Sequence, residues 1–286
     1  MYRRTKAELD LLPDNTYISA KYCKRWSGIL NLDGKYAGVK GHKKKIPFIY
    51  GIDFLTHDIP IGMLVLSEGY QSFLKYFRTL KAIGYPLCIV VCDDVPGLPE
   101  ALKEVYPNAK IQLCHNHYLE NIRRQLNIRT DERHKPFFYA LHAAFKTRLP
   151  SERERLLHEA GKHIRGNSIL LEIMREVHFR KDVLFSHQTI ENCPSTNNII
   201  EGYNSHLQGR LKTIKGFDSF CSAERWLNTW VLRRRTAKLT DCGKPFKHLN
   251  GKCSIEKTLK KDLNYDDILK EITLSKKPKK ALKMQR

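Results

Sequence analysis

The spacing of hydrophobic and polar positions changes character along the chain. Gly28–Leu32 (GILNL), Lys35–Val39, Pro47–Ile52 (PFIYGI) and Ile59–Leu66 (IPIGMLVL) are short apolar runs, broken by Asp33-Gly34 and by the turn-prone Thr56-His57-Asp58. Runs of this kind predict extended segments. From Tyr70 the apolar positions fall at helical spacing (Tyr70, Phe73, Leu74, Phe77, Leu80, Ile83), and Gly84-Tyr85-Pro86 ends the pattern. Leu87–Cys92 (LCIVVC) is apolar throughout, as a strand buried on both faces would be, and Asp93-Asp94 closes it. Leu98–Val105 predicts a short amphipathic helix that stops near Pro107, and Lys110–Leu113 (KIQL) a further strand. Residues 116–192 are rich in Leu, Arg, Glu, His and Lys with almost no β-branched runs, and read as helical. Residues 196–240 read as helical again, and after Thr240 the chain turns polar and ends in a basic tail, KKPKKALKMQR.

The order is therefore three strands, helix, strand, helix, strand. Three early strands predict an antiparallel meander, and the helical crossovers predict parallel additions. That is the α/β element order of a ribonuclease H-like fold, a mixed five-stranded sheet with flanking helices. A doubly wound sheet would alternate strand and helix from the start. The helical block then reads as an insertion. The expected parts are a basic segment over 1–25, a core over 26–117, a helical insertion over 118–192, a second part of the core over 193–245 and a basic tail over 246–286.

Charge narrows the class of partner. The 286 residues carry 51 Lys and Arg against 30 Asp and Glu, a formal net charge of +21, while 41% hydrophobic content is enough for a packed core. Such an excess favours a polyanion through counterion release, with nucleic acid ahead of an anionic membrane. Apolar runs such as Pro86–Cys92 are far too short to span a bilayer, and MYRRTKAELD lacks the apolar stretch of a signal peptide. The expected setting is cytoplasmic, nucleoid-associated in a prokaryote. Eight scattered cysteines with no CxxC pair predict a reducing compartment and argue against a four-cysteine zinc module.

Candidate chemistry sits at Asp33 and Asp93, each expected at a strand end, and at Glu201 in STNNIIEGYNSHLQGRLK. There Ser195 or Thr196 is a suitable N-cap. Ile200, Tyr203, Leu207 and Leu211 mark a buried face, and Glu201, Asn204, Gln208 and Lys212 the face beside it. Breaking a phosphodiester needs an activated water or 3′-hydroxyl and charge relief on the leaving oxygen. Two magnesium ions about 3.5–4 Å apart supply both, and three acids from three elements can hold them. Asp53 and Asp58 are rival first acids, Asp94 rivals Asp93, and Glu201 alone also reads as a solvated helix residue. Lys43, Lys44 and Lys45 at a strand turn, Arg210 and Lys212 beside the glutamate, and Arg233, Arg234 and Arg235 at a helix end are candidate phosphate contacts, or solvated charge. Trp26, Trp226 and Trp230 read as core residues rather than base-stacking ones.

A family resemblance orders these alternatives. CDDVPGLPEALKEVYPNAKIQLCHNH resembles the second-aspartate region of Mutator-like (MULE) DDE transposases of the bacterial and archaeal insertion-sequence type. Those carry an aspartate, then Gly-Leu starting four residues later, then Pro-x-Ala, then Cys-x-x-His. Here Asp93 precedes Gly97-Leu98, Pro107-Asn108-Ala109 and Cys114-His115-Asn116-His117, an offset that selects Asp93 over Asp94. LNLDGKYAGVKG resembles the first-acid strand, at Asp33, with Asp53 then falling where the family often has a non-catalytic aspartate. TNNIIEGYNSHLQGRLKTIKGFDS resembles the third-acid helix, at Glu201, and KHLNGKCSIE a closing segment common in bacterial transposases.

The resemblance implies metal-dependent DNA cleavage and strand transfer, two Mg2+ or Mn2+ ions on Asp33, Asp93 and Glu201, transposon ends and target DNA as partners, a homo-oligomer, and a helical insertion before the glutamate. The residues before Asp33 are too few for a typical helix-turn-helix unit, so a separate DNA-reading domain or protein is expected. Cys114 and His117 form a zinc half-site if two further ligands join them, with His115, His158, His163 and Cys193 available. The alternative for this pair is a local structural or substrate-positioning role. Two other functions stay in play: a catalytically silent DNA-binding protein derived from a transposase, and a ribonuclease H-like nuclease that hydrolyses without joining.

Overall fold

The computed structural model describes residues 12–274. The terminal KKPKKALKMQR lies outside the described residues. In chain order the elements are α1 (Asn15–Tyr22), β1 (Ile29–Ala37), β2 (Ile46–Asp53), β3 (Gly62–Leu64), α2 (Tyr70–Ala82), β4 (Ile89–Cys92), α3 (Leu98–Val105) and β5 (Lys110–Leu113), followed by α4 (His115–Gln125), α5 (Lys135–Lys146), α6 (Pro150–Gly161), α7 (Ser168–Phe179), α8 (Lys181–Leu184), α9 (Asn198–Ile214), α10 (Phe220–Thr236), α11 (Ser254–Thr258) and α12 (Tyr265–Leu274). β1, β2 and β3 pair antiparallel and β4 with β5 parallel, in the sheet order β3-β2-β1-β4-β5. This is the mixed five-stranded α/β architecture of the ribonuclease H-like fold that the element order predicts.

Two details of the strands differ from the sequence pattern. Asp33-Gly34 does not break the first strand: β1 runs through it, with Asp33 opposite Tyr50 and Gly34 opposite Ile49 in β2. Asp33 therefore lies mid-strand rather than at a strand end, because eight consecutive pairs with β2 outweigh the turn preference of Asp-Gly. The run 59–66 keeps only Gly62–Leu64 as strand. Ile59 and Pro60 instead turn their carbonyls to α1: the Asn15 amide donates to both, and the Ser19 hydroxyl donates to Pro60 at 2.5 Å. Pro60 has no N–H to offer a ladder.

Two compact units divide the chain, one formed by the residues up to Cys88 with Pro96–Pro107 and the residues from Ile199, the other by Ile89–Val95 with Asn108–Asn198. In the first, Phe48, Tyr50 and Ile52 of β2 pack with Ile200, Tyr203 and Leu207 of α9 and with Leu227, Trp230 and Val231 of α10. Trp26 and Trp230 are buried and Trp226 is partly buried, as expected of core residues. In the second unit, Tyr118, Leu119 and Ile122 of α4 share a core with Phe137, Leu141 and Phe145 of α5 and with Ile173 and Val177 of α7.

Gly97 opens α3 at φ +81°, and a side chain there would come within 2.5 Å of the Tyr70 backbone nitrogen. Both the left-handed turn and the close approach require glycine, which gives the Gly-Leu pair after Asp93 a structural reason. The region after Thr240 is not simply a polar tail. Leu249, Cys253, Ser254, Ile255, Thr258 and Leu259 are buried, so the KHLNGKCSIE segment packs into the first unit.

Candidate active site

In the first unit the candidate site is built on β1 and α9. Asp33 and Tyr50 are directly opposed in the β1–β2 register, so their side chains share one face of the sheet. Asn204 of α9 meets both. Its Nδ2 donates to Asp33 Oδ2 at 2.6 Å, and its Oδ1 accepts from the Tyr50 hydroxyl at 2.8 Å. The other Asp33 oxygen accepts the Gly34 backbone N–H at 2.7 Å. Tyr50 is fully buried, and burial, with the Asp33 carboxylate second, pushes its phenol pKa up, so it stays a donor. This relay fixes α9 against β1 through one amide. Glu201 lies in the first turn of α9, half-buried, one helical turn before Asn204. Asn204 was legible in the sequence only as a polar position beside Glu201, and Tyr50 carried no signal.

The rival first acids have other work. Asp53 is fully buried and accepts five hydrogen bonds: from the Ser27 N–H and hydroxyl, the Thr56 N–H and hydroxyl, and the Tyr85 hydroxyl, all between 2.7 and 3.2 Å. Asp58, also fully buried, takes a two-point contact from Arg235, at 2.8 Å to each oxygen, and hydroxyl hydrogen bonds from Ser254 and Thr258. Neither has an open side for a cation.

In the second unit Asp93 follows β4 directly and Cys114 follows β5. The parallel register pairs Cys92 with Leu113, so the next residues on the two strands, Asp93 and Cys114, lie side by side. One turn into α4, His117 Nδ1 is 2.8 Å from Asp93 Oδ1. One ligand atom from each of Asp93, Cys114 and His117 lies within 4.8 Å of the others. Asp94 is excluded from this group by its 2.7 Å ion pair with Arg180. The Asn197 backbone N–H donates to Cys114 Sγ at 3.2 Å, and the Asn116 amide donates to Asn198 at 2.7 Å. The two motifs CHNH and STNN are thereby tied.

The other suggested zinc ligands do not join this group. His115 is buried with its ring nitrogens 3.0 and 2.5 Å from the carbonyls of Phe145 and Leu184, and burial pushes its pKa down to about 4. Among the described residues, His158, His163 and Cys193 form no group with Cys114 and His117. Among the described residues, Asp93 is the one grouped with Cys114 and His117. The signal that could have found it is the strand register, since both residues stand one position beyond neighbouring strand ends.

Basic residues gather in the first unit. Val39 bridges Phe217, and paired backbone hydrogen bonds link Gly38 and Lys40 to Phe217 at 2.8 Å. Behind this strut an open cleft of about 440 Å³ is lined by Lys40, His42, Lys43, Lys44, Lys45 and Lys215 among others. Arg210, Lys212 and Arg233 are exposed. Arg234 is half-buried, its guanidinium 4.4 Å from the Tyr203 ring centre. Arg235 departs from the expected role: it is completely buried and neutralised by Asp58, so no phosphate can reach it.

The sequence pattern described as "Transposase, Mutator family" matches residues 51–237. The matched stretch contains Asp93, Cys114, His117 and Glu201 and begins after Asp33. No curated protein matches the chain. No helix among the described residues is long and apolar enough to cross a membrane.

Proposed function

The chain belongs to the Mutator family of transposases, and from that premise we propose that it cuts and joins DNA by metal-assisted phosphoryl transfer, with Asp33, Asp93 and Glu201 as the acids that hold the cations. The observation that carries this reading is the 2.6 Å hydrogen bond from Asn204 to Asp33, which couples the first acid to the helix of the third. Asp33 keeps the character such a site needs. Its carboxylate is oriented by the Gly34 N–H and the Asn204 amide and is only half-buried, an oxygen donor of the hard kind that magnesium takes. Divalent magnesium or manganese would supply charge relief on the attacking and leaving oxygens.

The protein's own part is positioning. Asn204 donates to one Asp33 oxygen and so orients the carboxylate, and the Tyr50 hydroxyl fixes which way the Asn204 amide faces. The cleft lined by Lys40, Lys43, Lys44, Lys45 and Lys215 offers ammonium groups to the DNA backbone, together with Arg210, Lys212 and Arg233 on the exposed helix surfaces. Arg234, held over Tyr203, is a second-rank contact. Transposon ends and target DNA are the substrates, the working form is a homo-oligomer, and a separate domain or protein reads the end sequence. A chelator should stop cleavage of end-bearing DNA and added magnesium should restore it. A protein that binds such DNA normally but cleaves none, with all partners present, would be the silent derivative instead.

Binding should be salt-sensitive and weakly sequence-selective. Each phosphate neutralised contributes a slope of about −0.9 in log affinity against log salt. Replacing Lys43, Lys44 and Lys45 together by Ala should flatten that slope by about two to three and leave base preference unchanged. Titrations from low to moderate salt measure it. An unchanged slope would remove this cleft from the DNA path.

A further inference from the structure

We infer that Asp93, Cys114 and His117 form a binding site for a soft divalent cation of the zinc class, which differs in donor chemistry from the all-carboxylate magnesium site proposed above and shares Asp93 with it. The inference goes beyond the cleavage reading; the two sites share the Asp93 carboxylate, and the thiolate and imidazole donors are what this site adds. A thiolate, an imidazole and one carboxylate are the donor set that zinc takes and magnesium avoids. Three protein ligands leave one tetrahedral position open, for water or a ligand oxygen.

The geometry is close to what such a site requires. Bond lengths of about 2.0–2.3 Å at tetrahedral angles put ligand atoms about 3.3–3.6 Å apart. The three ligand atoms here lie within 4.8 Å of one another, with the imidazole and carboxylate at 2.8 Å. A bound cation would open the Asp93–His117 pair by about 0.5 Å and draw Cys114 in by at most about 1.3 Å. Side-chain rotation covers both movements.

The backbone already holds the donors in place. Cys114 stands at the start of α4, and the β4–β5 register sets it beside Asp93. His117 follows three residues later, on the same helical turn. Cys114 is buried while His117 is about half exposed, so the sulfur is shielded and the site can be entered from the histidine side. The Asn197 N–H that donates to the sulfur is the kind of outer partner that metal-bound thiolates use.

Cobalt(II) is the direct probe, because its bond to a thiolate gives a charge-transfer absorption that bonds to oxygen and nitrogen do not. The full chain, free of metal and without DNA, should bind one cobalt ion with that absorption, and zinc should displace it. Cys114→Ser should lose the absorption. His117→Ala, at a half-exposed position where folding is not at stake, should bind cobalt at least about a hundredfold more weakly, since even outer-shell losses cost ten- to a hundredfold. No thiolate absorption in the parent protein would overturn the site. So would absorption retained in Cys114→Ser, which would assign it to another cysteine, or unaltered affinity in His117→Ala. None of these readings involves cleavage, so a protein inactive on DNA tests the site equally well.

Discussion

The Glu201→Gln protein should bind end-bearing DNA as the parent does and fail to cut or join it. Glutamine keeps the size and hydrogen bonding of glutamate and removes only the anion. Magnesium needs that anion, because a neutral amide oxygen neither offsets its charge nor competes well with water. Removing one preorganised electrostatic group from a phosphoryl-transfer site costs about two to three orders of magnitude or more in rate. Binding rests on many lysine and arginine contacts, so the loss of one negative charge leaves it intact or slightly stronger. The fold should also be unaffected, since Glu201 stands at the half-exposed start of α9 and the packing falls to Ile200, Tyr203 and Leu207. The assay needs magnesium, DNA carrying the element's ends and any end-reading partner. Cleavage within a few-fold of the parent would refute the role of Glu201. A parallel fall in stability and binding would make the residue structural.

Asn204 gives a graded companion to that experiment. Asn204→Ala should cut the rate less than Glu201→Gln does, because Asn204 orients Asp33 and does not itself hold a cation. It should also lower stability by about 1–3 kcal/mol, since the buried Tyr50 hydroxyl loses its acceptor. Chemical denaturation and single-turnover cleavage read the two effects separately. A normal rate in Asn204→Ala would show that Asp33 needs no positioning from α9.

How far the sequence reached depends on which interactions local spacing reports. Helical periodicity located α2, and the uniformly apolar IVVC located β4, because both patterns report burial on one or both faces directly. The same reasoning misjudged Asp33-Gly34. Its turn preference is a local property, whereas β1 is held by its partner strand, which no local window contains. Asp93 and Cys114 are 21 positions apart in sequence and come together through strand register alone. Arg233, Arg234 and Arg235 look equivalent as letters. Helix geometry then turns them in three directions, to solvent, to the Tyr203 ring and into the core. A run of like charges says how much charge is present but not which members are already neutralised.

Arg235 yields the largest stability prediction. Its guanidinium is fully buried and donates to both Asp58 oxygens at 2.8 Å, to Asn15 Oδ1 at 2.7 Å and to the Ser19 hydroxyl at 2.9 Å, with Cys23 Sγ at 3.1 Å. Asp58 in turn accepts from the hydroxyls of Ser254 and Thr258. One ion pair thus joins α1, the β2–β3 connection, α10 and α11. Burial opposes the charge on Arg235, and the charge and hydrogen bonds of Asp58 together with Cys23 outweigh it, holding the guanidinium pKa above its ordinary value. Arg235→Ala would strand a buried carboxylate and several acceptors, so it should destabilise the first unit by about 3–5 kcal/mol. Arg235→Lys keeps the charge but not the planar fork, and should fall between alanine and the parent. Asp58→Ala should cost a similar amount, and Asp58→Ala with Arg235→Ala less than the sum of the two, because neither charge is then left alone. Guanidinium midpoints at constant m-value measure all four. A loss below about 1 kcal/mol in Arg235→Ala would put the pair with ordinary surface ion pairs and refute its role in holding these elements together.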